Sequence, residues 1–97
     1  MINLRKKGRE KVVVIYEDCH GMIGIAKTRK DAQNFLVDEK WIGTDTEMVD
    51  DDGNLFRISD IDAFGDHWEE TMRNGKLDDD TINMIGFSFE EREVYTR

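Results

Sequence analysis

"KVVVIYEDCHGMIGIAKTRKDAQNFLVDEK", residues 11–40, changes its hydrophobic period part-way, and that change decides the fold class. Lys11 to Tyr16 is a β-branched run, "EDCHG" supplies a turn ending in glycine, and Met22 to Ala26 is a second apolar run. Two short apolar runs around a glycine-containing turn predict a β-hairpin. From Thr28 the spacing becomes helical: its hydroxyl can cap, Asp31 suits the positive end of the helix dipole, and Ala32, Phe35 and Leu36 share one face. Trp41 and Ile42 are then expected to close the helix against the core, and Gly43 to end it.

The downstream segments repeat this alternation. "TEMV" and "LFRI" flank "DDDGN" (50–54), and Asp-Gly between two apolar stretches predicts a second hairpin. Asp52 and Gly53 would be the two central residues of a type I′ turn, both at positive φ. "SDIDAFGDHWEETMRNG" (59–75) sets Ile61, Phe64, Trp68 and Met72 on one helical stripe, with Ser59 or Asp60 as cap and Gly75 as stop. "DDDTINMIG" (78–86) begins a short helix with acidic caps, and "FSFEEREVYTR" (87–97) alternates as a final strand. The order ββαββααβ predicts an α+β fold with a mostly antiparallel sheet and helices packed on one face.

With 97 residues and no proline, the chain fits a single domain over 1–97, of which residues 1–10 read as a loose basic arm. Apolar residues make up 38% and charged residues 37%, enough for a core beneath a very polar surface. Cys19 is the only cysteine, so an internal disulfide is excluded and a reducing compartment is compatible. No apolar run reaches membrane-span length, and "VVVIY" after the basic start is too short for a signal-peptide core, so a cytoplasmic protein is expected.

Charge is split along the chain. Residues 1–37 hold eight Lys/Arg against four Asp/Glu, net +4; residues 38–97 hold six against eighteen, net −12. Such a field repels nucleic acid and anionic membrane and attracts basic surfaces, so no direct binding to either is expected.

Several chemistries fail on spacing. With Gly53 at position 6 of a calcium loop, Asp50 and Asp52 fall at positions 3 and 5, but Met48 takes position 1 and Ser59 replaces the bidentate glutamate. Cys19 and His20 are adjacent, and His67 is the only other imidazole, too few soft ligands for a closed zinc site or a thiol triad. Asp62 and Asp66, one helical turn apart, lie opposite the apolar stripe, where water keeps carboxyl pKa values low and unsuited to acid/base work. "HGMIG" and "RNGK" lack the spacing of a phosphate cradle. No catalytic residue, metal ligand or cofactor is assigned, and the chain is not expected to be an enzyme.

Binding is what remains. Carboxylates three or four positions apart on a helix have Cβ atoms roughly 5–6 Å apart, comparable to the phosphate repeat of a nucleic-acid strand. A row made from Asp62, Asp66, Glu69 and Glu70, extended by Asp78, Asp79 and Asp80 and by Asp50, Asp51 and Asp52 at the hairpin tip, would suit a basic channel built for DNA or RNA. Trp41 and Trp68 are expected in the core. Phe87 and Tyr95 belong to the last strand, which at a sheet edge could pair with a partner or a second copy.

"VVVIYEDCHGMIGIAKTRKDAQNFLVDEKWI" followed by "FGDHWEETM" resembles small acidic proteins of unassigned role from phages and prophages of Gram-positive bacteria, which similarly open with a strand, a "HG.IG.A" turn and strand, and a helix ending in an aromatic. The resemblance spans residues 12–72 and is carried by structural positions, so no site is transferred from it. It implies a product acting in the host cytoplasm on a host protein, including defence systems, as a stoichiometric inhibitor; the acidic charge alone points to a nucleic-acid-processing or defence enzyme, such as a CRISPR nuclease, whose basic groove it would fit. The expectation is therefore a non-enzymatic inhibitor, monomeric or weakly self-associating, that occupies a partner's basic groove. The alternative is a structural or assembly protein self-associating through sheet edges.

Overall fold

The computed structural model describes residues 9–95, arranged as β1 (Arg9–Glu17), β2 (Gly21–Ala26), α1 (Arg29–Asp38), β3 (Glu47–Val49), β4 (Leu55–Arg57), α2 (Trp68–Arg73), α3 (Asp79–Met84) and β5 (Phe87–Tyr95). The fold is α+β, in the expected order. β1 is the central strand of an antiparallel sheet ordered β2-β1-β5, paired with β2 over Val13–Glu17 and with β5 along its full length. Most of the expected loose arm lies outside the described residues; Arg9 and Glu10 belong to β1, where they pair with Tyr95 and Val94.

Side-chain alternation along β1 sets the layers. Val13 and Ile15 point into the core with Ala32, Leu36, Ile42, Ile58, Trp68 and Met72, joined by Leu77, Ile82, Ile85 and Phe87. The opposite face carries Val14, in register with Ile25 and Glu90, and Tyr16, in register with Met22 and Ser88. No helix among the described residues covers Met22 and Ile25, which are 61% and 58% exposed. The Tyr16 hydroxyl accepts a 2.8 Å hydrogen bond from Arg92 on that face.

α1 begins as its residues dictate: the Thr28 hydroxyl accepts from the Asp31 N–H at 3.1 Å. Its end differs from expectation. The helix stops at Asp38, and Lys40 rather than Gly43 adopts the left-handed conformation, with φ of 60°. The Ile42 N–H reaches back to the Leu36 carbonyl at 3.1 Å, which buries Ile42 and half-buries Trp41 beyond the helix. Burial of those two side chains offsets the cost of a left-handed lysine, about 1–2 kcal/mol.

Two further expectations are corrected. Among the described residues β3 and β4 pair only with each other; Met48 and Phe56 pack against the core while Glu47, Val49, Leu55 and Arg57 stay exposed. Their turn is also of another type. The Gly53 N–H donates to the Asp50 carbonyl at 3.0 Å, and within the turn only Gly53 has positive φ, so Asp52 does not take the left-handed conformation that a type I′ turn needs. Second, residues 59–75 are not one helix. Ile58–Asp60 and Gly65–His67 form separate 3₁₀ turns, and α-helix starts only at Trp68. Gly65, at φ of 44°, and the extended backbone of Ile61 interrupt the path. The stripe still points inward, with Trp68 and Met72 buried and Ile61 and Phe64 packed against the core.

α2 and α3 are tied to α1 by polar groups. Arg73 donates to Asn34 Oδ1 at 3.0 Å and to Asp38 Oδ1 at 2.5 Å. Buried Gln33 bonds both backbone groups of Leu77. No helix among the described residues is long and apolar enough to cross a membrane.

Candidate functional site

The acids expected to form one row are dispersed over several elements. Asp50 is consumed by its own turn: its Oδ1 accepts from the Asp52 and Asn54 N–H groups at 2.9 and 2.8 Å. Asp78 caps α3 by accepting from the Thr81 N–H at 2.9 Å, and hydrogen bonding to Thr81 holds its carboxyl below the usual range. Asp79 pairs with Arg29 at 2.6 Å, and Arg29 also reaches Glu91 at 3.6 Å. Glu69 lies 3.9 Å from Arg73, and Glu70 3.9 Å from the His67 imidazole. Arginines therefore screen part of the acidic half.

Asp51, Asp52, Asp62, Asp66 and Asp80 remain exposed, with no ion pair or side-chain hydrogen bond among the described residues. Asp62 and Asp66 line one shallow depression of about 410 Å³ with Phe64, His67 and Thr71. They are not one turn apart on a helix, because Asp62 sits in the break between the two 3₁₀ turns. The phosphate-like spacing survives only from Asp66 through Glu69 and Glu70, where the second 3₁₀ turn runs into α2.

The structure assembles a second acidic site that sequence spacing does not reveal. The β3–β4 hairpin tip lies beside the β1–β2 turn and the end of α3, enclosing a groove of about 800 Å³. Asp50, Asp51, Asp52 and Glu47 line it from the hairpin, and Glu17 and Asp18 from the β1–β2 turn. Its apolar surface comes from Met48, Val49, Met84 and Ile85. Glu17 and Asp18 come from the basic part of the chain, so linear charge counting hides them. The only local sign is that both hairpin turns, "YEDCHG" and "VDDDGN", are acid-rich.

Glu17 has a structural duty. It accepts from the Cys19 N–H at 3.0 Å and from the His20 imidazole, and the latter bond chiefly lowers its pKa. His20 also sits edge-on to Trp41, 5.4 Å between ring centroids, and Trp41 to Phe87 at 6.3 Å. The Cys19 thiol is exposed beside this cluster. No group of three or more His, Cys, Asp or Glu side chains suited to a metal ion occurs among the described residues.

No protein-family model, curated protein or solved structure gives a significant match to the chain.

Proposed function

We propose that this chain is a non-enzymatic, phage-type inhibitor that acts in the host cytoplasm by binding a basic surface of a host protein, in the manner of a nucleic-acid mimic directed at a nucleic-acid-processing or defence enzyme. The observation that carries this reading is the set of exposed carboxylates without ion pairs among the described residues, Asp51, Asp52, Asp62, Asp66 and Asp80, in a segment of net charge −12. Such charge raises the rate of encounter with a cationic partner and makes the complex salt-sensitive. The test is capture from a host lysate on the immobilised protein at low salt, elution at high salt, and assay of the eluted protein's activity. A basic protein should be retained, and its activity should fall to a floor at a fixed molar ratio of the inhibitor. A captured protein that keeps full activity at saturation removes the inhibitor reading.

One observation favours a second reading, self-association. Met22 and Ile25 lie exposed on the sheet face that no described helix covers, and among the described residues β2 and β5 form the two edges of that sheet. Sedimentation velocity across a concentration series separates the two: the inhibitor reading predicts a monomer with at most weak self-association, and a sedimentation coefficient rising steeply with concentration supports assembly.

A further inference from the structure

We infer that the groove between the β3–β4 hairpin, the β1–β2 turn and the end of α3 is a docking site for an extended, lysine- or arginine-rich peptide segment that carries apolar side chains between its cations. The inference rests on the acidic-binder reading and deepens it, because it assigns the contact to a concave site that receives a protruding basic segment.

The shape argues first. At about 800 Å³ the groove is as large as the clefts that hold ligands, roughly 300–1,000 Å³. Its floor is apolar and accessible: Met84 is 47% and Val49 60% exposed, with Met48 and Ile85 beneath. Methionine suits such a floor because its flexible, polarizable side chain adapts to differing shapes. A floor of this kind calls for apolar side chains on the ligand, which neither a metal ion nor a bare polyamine supplies.

Charge argues second. Among the described residues the rim carries carboxylates and no lysine or arginine. Asp50 and Glu17 are held by their own turns, whereas Asp18, Glu47, Asp51 and Asp52 have no ion pair or side-chain hydrogen bond among the described residues. On α3, exposed Asp80 sits one helical turn before Met84. Alternating cations and apolar residues on an extended strand point to opposite sides, so one face can meet the rim and the other the floor.

The test is fluorescence anisotropy at low salt with three labelled eight-residue peptides: alternating lysine and leucine, all lysine, and alternating glutamate and leucine. The lysine–leucine peptide should bind the wild-type protein, the all-lysine peptide about tenfold more weakly, and the glutamate peptide not at all. The triple variant Asp18→Asn/Asp51→Asn/Asp52→Asn should lose about tenfold in affinity, whereas Glu10→Gln/Asp31→Asn/Glu39→Gln, which removes equal charge at exposed positions outside the groove, should stay within about twofold. Circular dichroism confirms that both variants are folded. Equal weakening by the two triples, or no binding of the lysine–leucine peptide to wild type, overturns the groove. A host protein that is captured and inhibited regardless of the groove triple also overturns it while leaving the proposed function intact. Peptide binding that only the groove triple weakens, with no host protein inhibited, retains the groove and removes the inhibitor.

Discussion

Replacing Gln33 by leucine is expected to destabilise the protein by about 2–4 kcal/mol, lowering the thermal midpoint by roughly 10–20 °C. Gln33 is only 2% exposed, yet lies on α1 among apolar neighbours. Its Nε2 donates to the Leu77 carbonyl at 3.0 Å, and its Oε1 accepts from the Leu77 N–H at 3.1 Å. One amide thus satisfies both backbone groups of a buried residue in the α2–α3 connection. Leucine fills similar volume but offers neither donor nor acceptor, and each buried orphan costs about 1–3 kcal/mol. Against a total stability of roughly 5–15 kcal/mol for a small domain, that loss is large. Urea denaturation measures it, and a change below about 1 kcal/mol would show that water reaches Leu77.

Gln33→Glu adds a pH signature. A carboxylate there is buried and opposes the Leu77 carbonyl, so its folded pKa should rise above the unfolded value, near 4.3. Stability from a group with a raised folded pKa is present below the unfolded pKa and lost as pH rises through the folded one. This variant should therefore approach wild-type stability on acidification, where a protonated carboxyl restores the donor, and fall behind it at neutral pH. Gln33→Leu should show no such recovery.

Gln33 also marks the limit of what the sequence makes legible. The strands around "EDCHG", the Thr28 cap, the acid-rich second hairpin and the order of elements all follow from local chemistry that acts over a few residues. The burial of Gln33 depends on a backbone 44 positions away, and no period announces it. The stripe Ile61, Phe64, Trp68 and Met72 misled for a related reason: turns of similar pitch keep those side chains inward, so the pattern reports burial rather than continuous helix. The acids were legible as a count but not as a site. Asp18 and Glu47 meet Asp51 and Asp52 only after the hairpin docks beside the β1–β2 turn, while Arg29 and Arg73 neutralise acids that looked free.

Gly75→Ala is expected to cost about 2–4 kcal/mol, and Gly53→Ala only about 1 kcal/mol. Both glycines have positive φ, 69° and 84°, so alanine meets the same backbone penalty at either site. Around Gly53 no atom of the described residues lies within 4 Å of an added Cβ, whereas at Gly75 that carbon would stand 2.7 Å from Lys30 Cβ and 2.9 Å from Lys30 Cα. The difference between the two variants therefore isolates the close approach of the α2 terminus to α1. Lys30 is one turn from Gln33 and Asn34, and Asn34 donates to the Lys30 and Arg73 carbonyls at 2.9 and 3.1 Å. Pushing Gly75 away from Lys30 must strain those bonds and the Gln33 clamp on Leu77 together. Gly75→Ala combined with Gln33→Leu should thus cost less than the sum of the two, by about 0.5–3 kcal/mol, since one displacement loosens both contacts. Additive losses would mean that each contact yields independently. The connection that they share leads through Asp78 into α3, whose far end forms one wall of the acidic groove, so opening this seam is also expected to move Asn83 and Met84 away from the hairpin tip.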